Sequence, residues 1–583
     1  MTENRKNIRR NSFTQLATGL AIIVLLNIIG SFAFYRLDLT AEKRYTLAPS
    51  TRKMLKELND IVYFKVYLEG EFPAGFKRLR NETREMLNQF QAYSDNIQFE
   101  FIDPTTGKSK SEIEAMYSQL AKSGLNATDL QVKEENGLTR KIIFPGAVVT
   151  YREKEMPLDL LLTQVGVPPD EVLNNSVQAL EFGLSNVIRK LTVEQKPKIA
   201  FIEGHGELTS DYTASIESAL SEYYEVEHVR INGRLSALTE RTPKAKDSTE
   251  YTIKNKYKAI IIAKPDSAFA KDERDKFIID QFIMRGGKVL WLIDPVYAEM
   301  DSLKSKSETV ALTNELNLDD MLFNYGVRLN SNLIVDMNSL PIPVVIDPKG
   351  NQKMIPWIFF PVLIPTSTNP IVRNLNAVKT EFVSSIDTVE APGIKKTVLL
   401  STSRYSRVLN TPVVVSLSFL YQRPDVTQFN QPYQPVAVLL EGEFVSLFLN
   451  RVPMEIANAP EVGFTGKSSN TAMIVIADGD VIKNQLQPGT IKPASLPLGY
   501  DRYTGQQFGN KDFILNAMNY LCDDSGLLSV RSREVKLRSL DKERVEAERS
   551  KWQLVNTLVP ILLVLVFAVI QGYLRKRKYT RVI

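Results

Sequence analysis

The sequence predicts an α/β protein, a membrane-anchored multidomain body with one transmembrane helix at each end. Two uncharged, strongly apolar stretches lie near the two ends of the 583 residues. Between them, near-continuous apolar segments alternate with helical patterns, which is typical of a parallel sheet covered on both faces. The intervening body is too long for one hydrophobic core, so several domains are expected.

The apolar stretches are residues 13–35 and 552–574, and each is long enough to cross a hydrocarbon core of about 30 Å as a helix. Each has its basic cluster on the outer side: Arg5, Lys6, Arg9 and Arg10 before the first, and Arg575, Lys576, Arg577, Lys578 and Arg581 after the second. Lys and Arg accumulate on the cytoplasmic side of such helices. We therefore expect a bacterial inner-membrane protein with cytoplasmic ends (1–12 and 575–583) and a periplasmic body.

A cleaved signal peptide is the alternative for the first apolar stretch. Ser31, Phe32 and Ala33 offer small residues of the kind that a signal peptidase reads. The apolar run is about twice as long as a usual signal core of roughly 7–15 residues, which favours an uncleaved anchor.

Composition excludes several classes of protein. Cys522 is the single cysteine, so no intrachain disulfide, CxxC redox site or Cys-based metal site is possible. Only two histidines are present, His205 and His228, so a three-His metal site is excluded. The net charge of +5 comes largely from the basic membrane flanks, and no basic stripe indicates nucleic acid. No cofactor and no metal are predicted.

Residues 36–165 are predicted to form a small α/β domain. The β-rich segment 61–68 precedes a helical pattern at 76–93, and 97–102 alternates with period two. A helix at 111–122 and strands near Leu130 and at 141–151 complete a thioredoxin-like outline.

Residues 170–335 are predicted to form a parallel-sheet domain of flavodoxin or Rossmann type. Its predicted strands are 198–203, 225–230, 257–263 and 288–293, and its predicted helices are 175–191, 211–222 and 272–284. Residues 336–465 are rich in proline and short strands, which indicates a β-rich insertion or domain. Residues 466–538 return to the α/β pattern, and 539–551 form a charged helix that links to the second span.

The most site-like string is Gly204-His205-Gly206-Glu207, at the carboxyl end of a predicted parallel strand, where open α/β sheets bind ligands. His205 with the acids Glu203 and Glu207 would suit a metal or acid–base chemistry. The alternative is a tight glycine turn in which His205 packs locally. On that interpretation, His205→Ala leaves folding nearly intact.

Four aspartates follow other predicted strands: Asp266, Asp294, Asp478 and Asp480. At one sheet edge they could converge with Glu203 and hold a cation, but ordinary Asp-Pro and Asp-Gly turn chemistry is the favoured interpretation. The candidate ligand-binding residues are therefore Glu203, His205, Glu207 and Asp294. No phosphate-binding loop, GxSxG or SxxK string is present, so no catalytic residue is assigned and the chain is not expected to be an enzyme.

Three strings resemble the GldG family, a gliding-motility-associated ABC-transporter component of Bacteroidota. They are the segments 36–47 (RLDLTAEKRYTL), 197–207 (PKIAFIEGHGE) and 282–295 (FIMRGGKVLWLIDP). The resemblance implies a GldF-like ABC permease and a GldA-like cytoplasmic ATPase as partners. It also implies a substrate-binding-like subunit whose central domain resembles one in intraflagellar-transport proteins, with no established catalytic residues.

The residues and the resemblance together predict a non-catalytic extracytoplasmic subunit of an ABC-type complex, anchored at both ends, that supports gliding motility or linked secretion. Two alternatives stay open. One is a membrane-tethered solute-binding receptor, which a deep pocket with convergent polar groups would favour. The other is a metal-dependent hydrolase that uses Glu203, His205 and Glu207.

Overall fold

A computed structural model describes most of the chain. The described residues are 13–25, 27–28, 46–134, 137–244, 250–269, 273–303, 306–345, 351–422, 424–487, 489, 494–523, 526–532 and 542–580. Two compact units are present, residues 1–533 and residues 534–583.

The helices of the described residues follow in chain order: α1 (Phe13–Leu25), α2 (Pro49–Lys56), α3 (Ala74–Tyr93), α4 (Lys110–Lys122), α5 (Pro169–Thr192), α6 (Ser210–Ser221), α7 (Arg274–Met284), α8 (Asp319–Tyr325), α9 (Met454–Ala457), α10 (Asn510–Cys522) and α11 (Lys542–Thr580).

The strands are β1 (Val62–Val66), β2 (Ile97–Phe101), β3 (Thr128–Glu134), β4 (Gly137–Ile143), β5 (Gly146–Tyr151), β6 (Lys154–Asp159), β7 (Lys198–Glu203), β8 (Glu225–Arg230), β9 (Thr239–Pro243), β10 (Tyr251–Asn255), β11 (Ala259–Ala263), β12 (Lys288–Leu292), β13 (Val296–Tyr297), β14 (Glu308–Thr313), β15 (Val327–Leu329), β16 (Asn332–Asp336), β17 (Ser339–Val345), β18 (Gln352–Leu363), β19 (Val378–Lys379), β20 (Ile386–Thr388), β21 (Ile394–Ser401), β22 (Ser406–Asn410), β23 (Val413–Ser416), β24 (Pro435–Gly442), β25 (Thr471–Ile476), β26 (Tyr500–Asp501) and β27 (Gln506–Gln507).

The first sheet has four strands in the order β2-β1-β5-β6. Strands β1 and β2 are parallel, whereas β5 is antiparallel to both β1 and β6. Helices α3 and α5 pack on this sheet because their apolar residues recur at helical spacing; Leu79, Phe90, Leu184 and Ile188 share one core with Phe64 of β1. The order is compatible with the thioredoxin-like outline, which stays a prediction.

The largest sheet has seven strands in the order β21-β24-β25-β12-β11-β7-β8. Strands β8, β7, β11, β12 and β25 run parallel, and β24 and β21 complete the sheet in antiparallel orientation. The five parallel strands include every strand that the sequence predicts for the central domain. The mixed α/β class is therefore confirmed.

Both faces of the inner parallel strands β7, β11, β12 and β25 are buried, as the near-continuous apolar strands predict. In β7, Ile199 and Phe201 belong to a core that α6 and α10 cover. Their neighbours Ala200 and Ile202 belong to a second core that α7 and α8 cover. Charged groups next to the four inner parallel strands therefore lie mainly at the strand ends, whereas the edge strand β8 has charged side chains along its length.

Strands β21 and β24 come from the stretch 336–465, for which the sequence predicts a β-rich insertion or domain. The structure differs, because these two strands extend the central sheet instead of standing apart from it. Residues 436–440 of β24 are fully buried. Because prolines lie on either side of this run, the sequence around it is typical of loops. The sequence therefore does not indicate that residues 436–440 form a buried strand of the central sheet.

The rest of that stretch forms short sheets around a core of its own. Strand β16 pairs with β22, β14 pairs with β23, and β17 and β18 form a long antiparallel hairpin. Trp357 and Phe359 of β18 are fully buried and share this core with Leu333, Val413 and Phe429.

Helix α11 contains the apolar segment of the C-terminal unit. Within the described residues, Arg544–Arg577 is the one helix that is long and apolar enough to cross a membrane. The expected linking helix 539–551 is continuous with it from Lys542, and Pro560 lies inside it. The first apolar stretch is helical at Phe13–Leu25, which is shorter than a span, and residues 29–35 lie outside the described residues. The arrangement with two spans therefore stays a prediction.

Candidate functional site

The carboxyl ends of β7, β11, β12 and β25 lie at one edge of the seven-stranded sheet, because these strands are parallel neighbours. Strand β8 lies on one side of β7 and β11 on the other, so the strand order reverses between β7 and β11. In open α/β sheets, ligands bind outside the carboxyl ends of the strands at such a reversal. The loops that follow β7 and β11 therefore define the candidate site.

These two loops are hydrogen-bonded to each other. The backbone N–H groups of Asp266 and Ser267 donate to the carbonyl oxygen of His205 over 3.1 and 2.9 Å, and Leu208 N donates to Ala263 O over 3.0 Å. Gly206 has φ +75°, and a Cβ there would lie 1.5 Å from Asp266 Oδ1. Only glycine permits this approach. The chain's own loops therefore bond to each other at the strand reversal, an arrangement that we call the closed edge.

His205 lies buried between two carboxylates. Its Nδ1 is 3.1 Å from Glu207 Oε1, and its Nε2 is 3.1 Å from Asp275 Oδ2 in the first turn of α7. The ring stacks on Phe269 with 3.8 Å between the centroids. Glu207 also accepts the backbone N–H of His205, and Asp275 also accepts that of Gly233. His205 therefore connects the loop after β7 to α7.

This arrangement favours a structural role for the ring over metal binding. A histidine that binds a metal presents a ring nitrogen lone pair to the ion. Both ring nitrogens of His205 instead face carboxylate oxygens, and a doubly protonated ring would donate to both of them.

A second group of charges surrounds Lys264, the residue directly after β11. Its ammonium lies 2.5 Å from Asp480 Oδ2 and 3.1 Å from Asp294 Oδ2. The other oxygen of Asp480 lies 3.0 Å from Lys483 Nζ. Asp294 follows β12, and Asp480 follows β25. Lys264 therefore joins the carboxyl ends of three adjacent parallel strands, and we call Lys264, Asp294, Asp478 and Asp480 the Lys264 cluster.

The backbone around the Lys264 cluster is arranged to bring its side chains together. Lys264 has φ +53°, a left-handed conformation that is uncommon for a residue with a side chain. Gly479 packs against it so closely that a Cβ there would lie 2.5 Å from the Cβ and Cγ of Lys264. Gly479 N donates to Asp294 Oδ1 over 2.5 Å.

Asp478 joins the cluster through backbone donors. It is fully buried, and its two oxygens accept the N–H groups of Asp480 and Glu381 over 2.7 and 3.0 Å. Glu381 comes from the segment between β19 and β20, so this contact attaches part of the β-rich stretch to the sheet edge. The cluster therefore connects parts of the chain that are remote in sequence.

Burial raises the pKa of each carboxyl group in the cluster, and the nearby lysines lower it. Burial alone would raise the pKa of Asp480, but Lys264 and Lys483 outweigh it and lower this pKa to about 2. Burial, followed by the charges of Asp480 and Asp294, raises the pKa of Asp478 well above its ordinary value. Burial also raises the pKa of Asp294, although Lys264 opposes this shift. The two lysines therefore outweigh burial at Asp480, whereas burial prevails at Asp478 and Asp294.

The same carboxylates have the composition of a metal site. One oxygen from each of Asp294, Asp478 and Asp480 lies within 4.8 Å of the others. The ammonium of Lys264 already places a positive charge against two of them, so a metal ion would have to displace it. The geometry therefore supports an ionic connection between strands.

The structure separates the four predicted ligand residues into three groups. Glu203 lies 3.0 Å from His228 Nδ1 and 3.2 Å from Arg230 Nε, both on β8. Only His205 and Glu207 are in contact with each other, and Asp294 belongs to the Lys264 cluster. A ligand-binding role of Glu203, His205, Glu207 and Asp294 stays a hypothesis, and each of these residues has a structural contact that explains its position.

Sequence reasoning missed three residues of this edge. The position of Lys264 could have been predicted. It follows an apolar strand and precedes Pro265 and Asp266, which places it at the same sheet edge as the predicted aspartates. The positions of Asp275 and Glu381 could not have been predicted in this way. Asp275 reads as an ordinary acid in the first turn of a helix, and Glu381 lies in the β-rich stretch.

The part of the chain that forms this edge matches the model of a known protein family. Residues 196–517, which contain all seven strands of the central sheet, match the model of a family described as an ABC-type uncharacterized transport system. Residues 41–150 match the model of a domain of unknown function. An uncharacterized protein of Borreliella burgdorferi is 19% identical over 579 residues, which cover 98% of this chain and 99% of that protein.

A solved structure is also similar in part. The mmIFT52 N-terminal domain is 13% identical, with a TM-score of 0.30. The match covers 56% of this chain and 97% of that domain.

We predict that His205→Ala lowers the free energy of unfolding by about 1–3 kcal/mol, because it removes the ring that lies within hydrogen-bond distance of both Glu207 and Asp275. The contacts of His205 thus revise the expectation from the turn interpretation. The measurement is urea unfolding of the purified full chain, and His228→Ala is the control. His228 is 28% exposed and lies between Glu203 and Glu217, so its loss should cost about 1 kcal/mol or less. Equal losses in the two variants would contradict this role.

Proposed function

Since this chain belongs to the family described as an ABC-type uncharacterized transport system, we propose that it is a non-catalytic accessory subunit of an ABC transporter. The family match over residues 196–517 is the observation that carries this proposal. The closed sheet edge supports the non-catalytic part of it. The loops at the strand reversal bond to each other, and the carboxylates of the Lys264 cluster are engaged by Lys264 and by backbone N–H groups.

We further propose that the subunit is anchored in the inner membrane, with both ends cytoplasmic and the body periplasmic. Helix α11 supports the C-terminal anchor, because Arg544–Arg577 is long and apolar enough to cross a bilayer. Its basic residues Arg575, Lys576 and Arg577 follow the apolar part, as they do on the cytoplasmic side of membrane helices. The stretch 13–35 would supply the second anchor.

The resemblance to the GldG family supports a narrower proposal. The permease partner would be GldF-like, the cytoplasmic ATPase would be GldA-like, and the complex would support gliding motility or a linked secretion. A body held at both ends would gate the permease or transmit its movement to the envelope. Two spans cannot enclose a translocation path, so the permease would form most of the pore.

The proposed orientation predicts the result of reporter fusions. A reporter that is active only in the cytoplasm should give a signal when it is fused after Ile583 and no signal when it is inserted at Gly350. The reason is that the basic residues after the second apolar stretch stay on the cytoplasmic side. The opposite pattern of signals would overturn the orientation.

The proposed association predicts that Asn556→Leu reduces the amount of permease that co-purifies with this chain. Asn556 is a polar residue in the apolar part of α11. Amides in such helices hydrogen bond across to neighbouring helices, with about 0.6–2 kcal/mol each. The measurement is mass spectrometry of the proteins retained on a tagged chain in mild detergent.

Thr557→Val is the matched control for this experiment. The hydroxyl of Thr557 donates to Gln553 O of its own helix over 2.8 Å, so its removal should leave the association unchanged. Asn27 is a weaker test than Asn556, since its amide already donates to Ile23 O over 3.1 Å. A complex that survives Asn556→Leu undiminished would show that α11 is an anchor only. A tagged chain that retains no transporter subunit would refute the proposed function.

A further inference from the structure

A cavity of about 670 Å³ lies in the β-rich part of the chain, bounded by β18, β22, β23 and residues from 419–422 and 424–429. Its floor consists of side chains from the local core. Val335, Phe359, Val413 and Phe429 line it, and each is less than a tenth exposed. Pockets of about 300–1,000 Å³ with apolar walls and a few polar groups are typical of small-molecule sites.

Polar side chains lie at the opening of this cavity. Asn410, Gln422 and Gln428 line it and are exposed, whereas the floor is buried. Phe419, which is 37% exposed, forms an apolar part of the wall near this opening. A ligand would therefore have its apolar part against the floor and its polar group at the opening.

Arg407 is the cationic side chain among the residues that line this cavity. Its Nη1 donates to the neutral Gln428 Oε1 over 2.5 Å, and no carboxylate of the described residues lies within ion-pair distance of it. Asp425 lines the same cavity, but it accepts from Thr427 N, Thr427 Oγ1 and Gln428 Nε2 at 3.0, 2.7 and 3.5 Å. Asp425 thus accepts hydrogen bonds from residues of its own turn. The guanidinium N–H groups of Arg407 that do not donate to Gln428 are available to a ligand.

We propose that this cavity binds a small organic acid, with an apolar body on the floor and a carboxylate at the guanidinium of Arg407. Guanidinium groups pair with carboxylates through two parallel hydrogen bonds, which gives both affinity and orientation. The amide groups of Gln422 and Gln428 at the opening can donate to the same anion. This site shares no residue with the Lys264 cluster. It goes beyond the proposed accessory function and does not depend on it.

The test compares 4-phenylbutanoate with 4-phenylbutanol, which has the same body and a neutral head. The purified full chain is placed in nanodiscs of zwitterionic lipid, and binding is followed by saturation-transfer NMR against empty discs. We expect saturable binding of the acid, and Arg407→Gln should raise its dissociation constant at least about tenfold. Arg404→Gln is the control, because Arg404 is exposed and does not line the cavity. Thermal melting verifies that each variant is folded.

A photoreactive aryl-diazirine carboxylate then locates the site, and it should label the segments around 407–414 and 419–429. Four results would overturn the proposal: no saturable binding of the acid, equal binding of acid and alcohol, equal effects of Arg407→Gln and Arg404→Gln, or labelling elsewhere in the chain. Because no transporter subunit takes part in this test, its failure is distinguishable from failure of the proposed function.

Discussion

The ion pair between Lys264 and Asp480 is the interaction on which the carboxyl edge of the central sheet depends. Both faces of the inner parallel strands are covered by apolar cores, so the charged side chains next to these strands lie mainly at the strand ends. Lys264 joins the ends of β11, β12 and β25 by contacting Asp294 and Asp480. Removal of one partner from such a buried pair leaves an uncompensated charge, which is far more costly than the loss of a surface ion pair.

The closed edge differs from the ligand-binding arrangement of many proteins with a similar sheet. In those proteins the loops at the strand reversal leave room for a ligand. Here the loop after β7 is bonded to the loop after β11, and His205 connects it to α7. The family match covers these loops as well, because they lie within residues 196–517. The proposed acid-binding cavity lies instead in the β-rich part, lined by Phe359 and Arg407.

The sequence predicted the parallel strands well, because residues such as those of β11 (AIIIA) are apolar on both faces and have few alternatives to a doubly covered sheet. It also offered convergence of Asp266, Asp294, Asp478 and Asp480 at one sheet edge as an alternative to ordinary turns. The structure brings Asp294, Asp478 and Asp480 together, whereas Asp266 lies against Gly206. The sequence did not predict that β24 joins this sheet or that Glu381 reaches its edge, because both depend on long-range packing of a proline-rich stretch. Glu203 was expected at the same site, but its side chain points to β8, where His228 and Arg230 neutralise it. The alternation of side chains along a strand does not predict whether the last residue, Glu203, faces the loops of the candidate site or the neighbouring strand β8.

The most direct test of the Lys264 cluster is the free energy of unfolding of Lys264→Met as a function of pH, measured on the full chain by urea unfolding and tryptophan fluorescence. Asp480 has a folded-state pKa of about 2, below that of an unfolded carboxyl, so it stabilises the folded state above about pH 4 and this contribution is lost as the pH falls towards 2. We therefore predict a loss of about 3–5 kcal/mol in Lys264→Met at pH 7 that shrinks below about pH 4. Lys483→Met, which removes the more exposed partner of Asp480, should lose less. A loss below about 1 kcal/mol at pH 7, or one that does not change with pH, would contradict the role assigned to this ion pair.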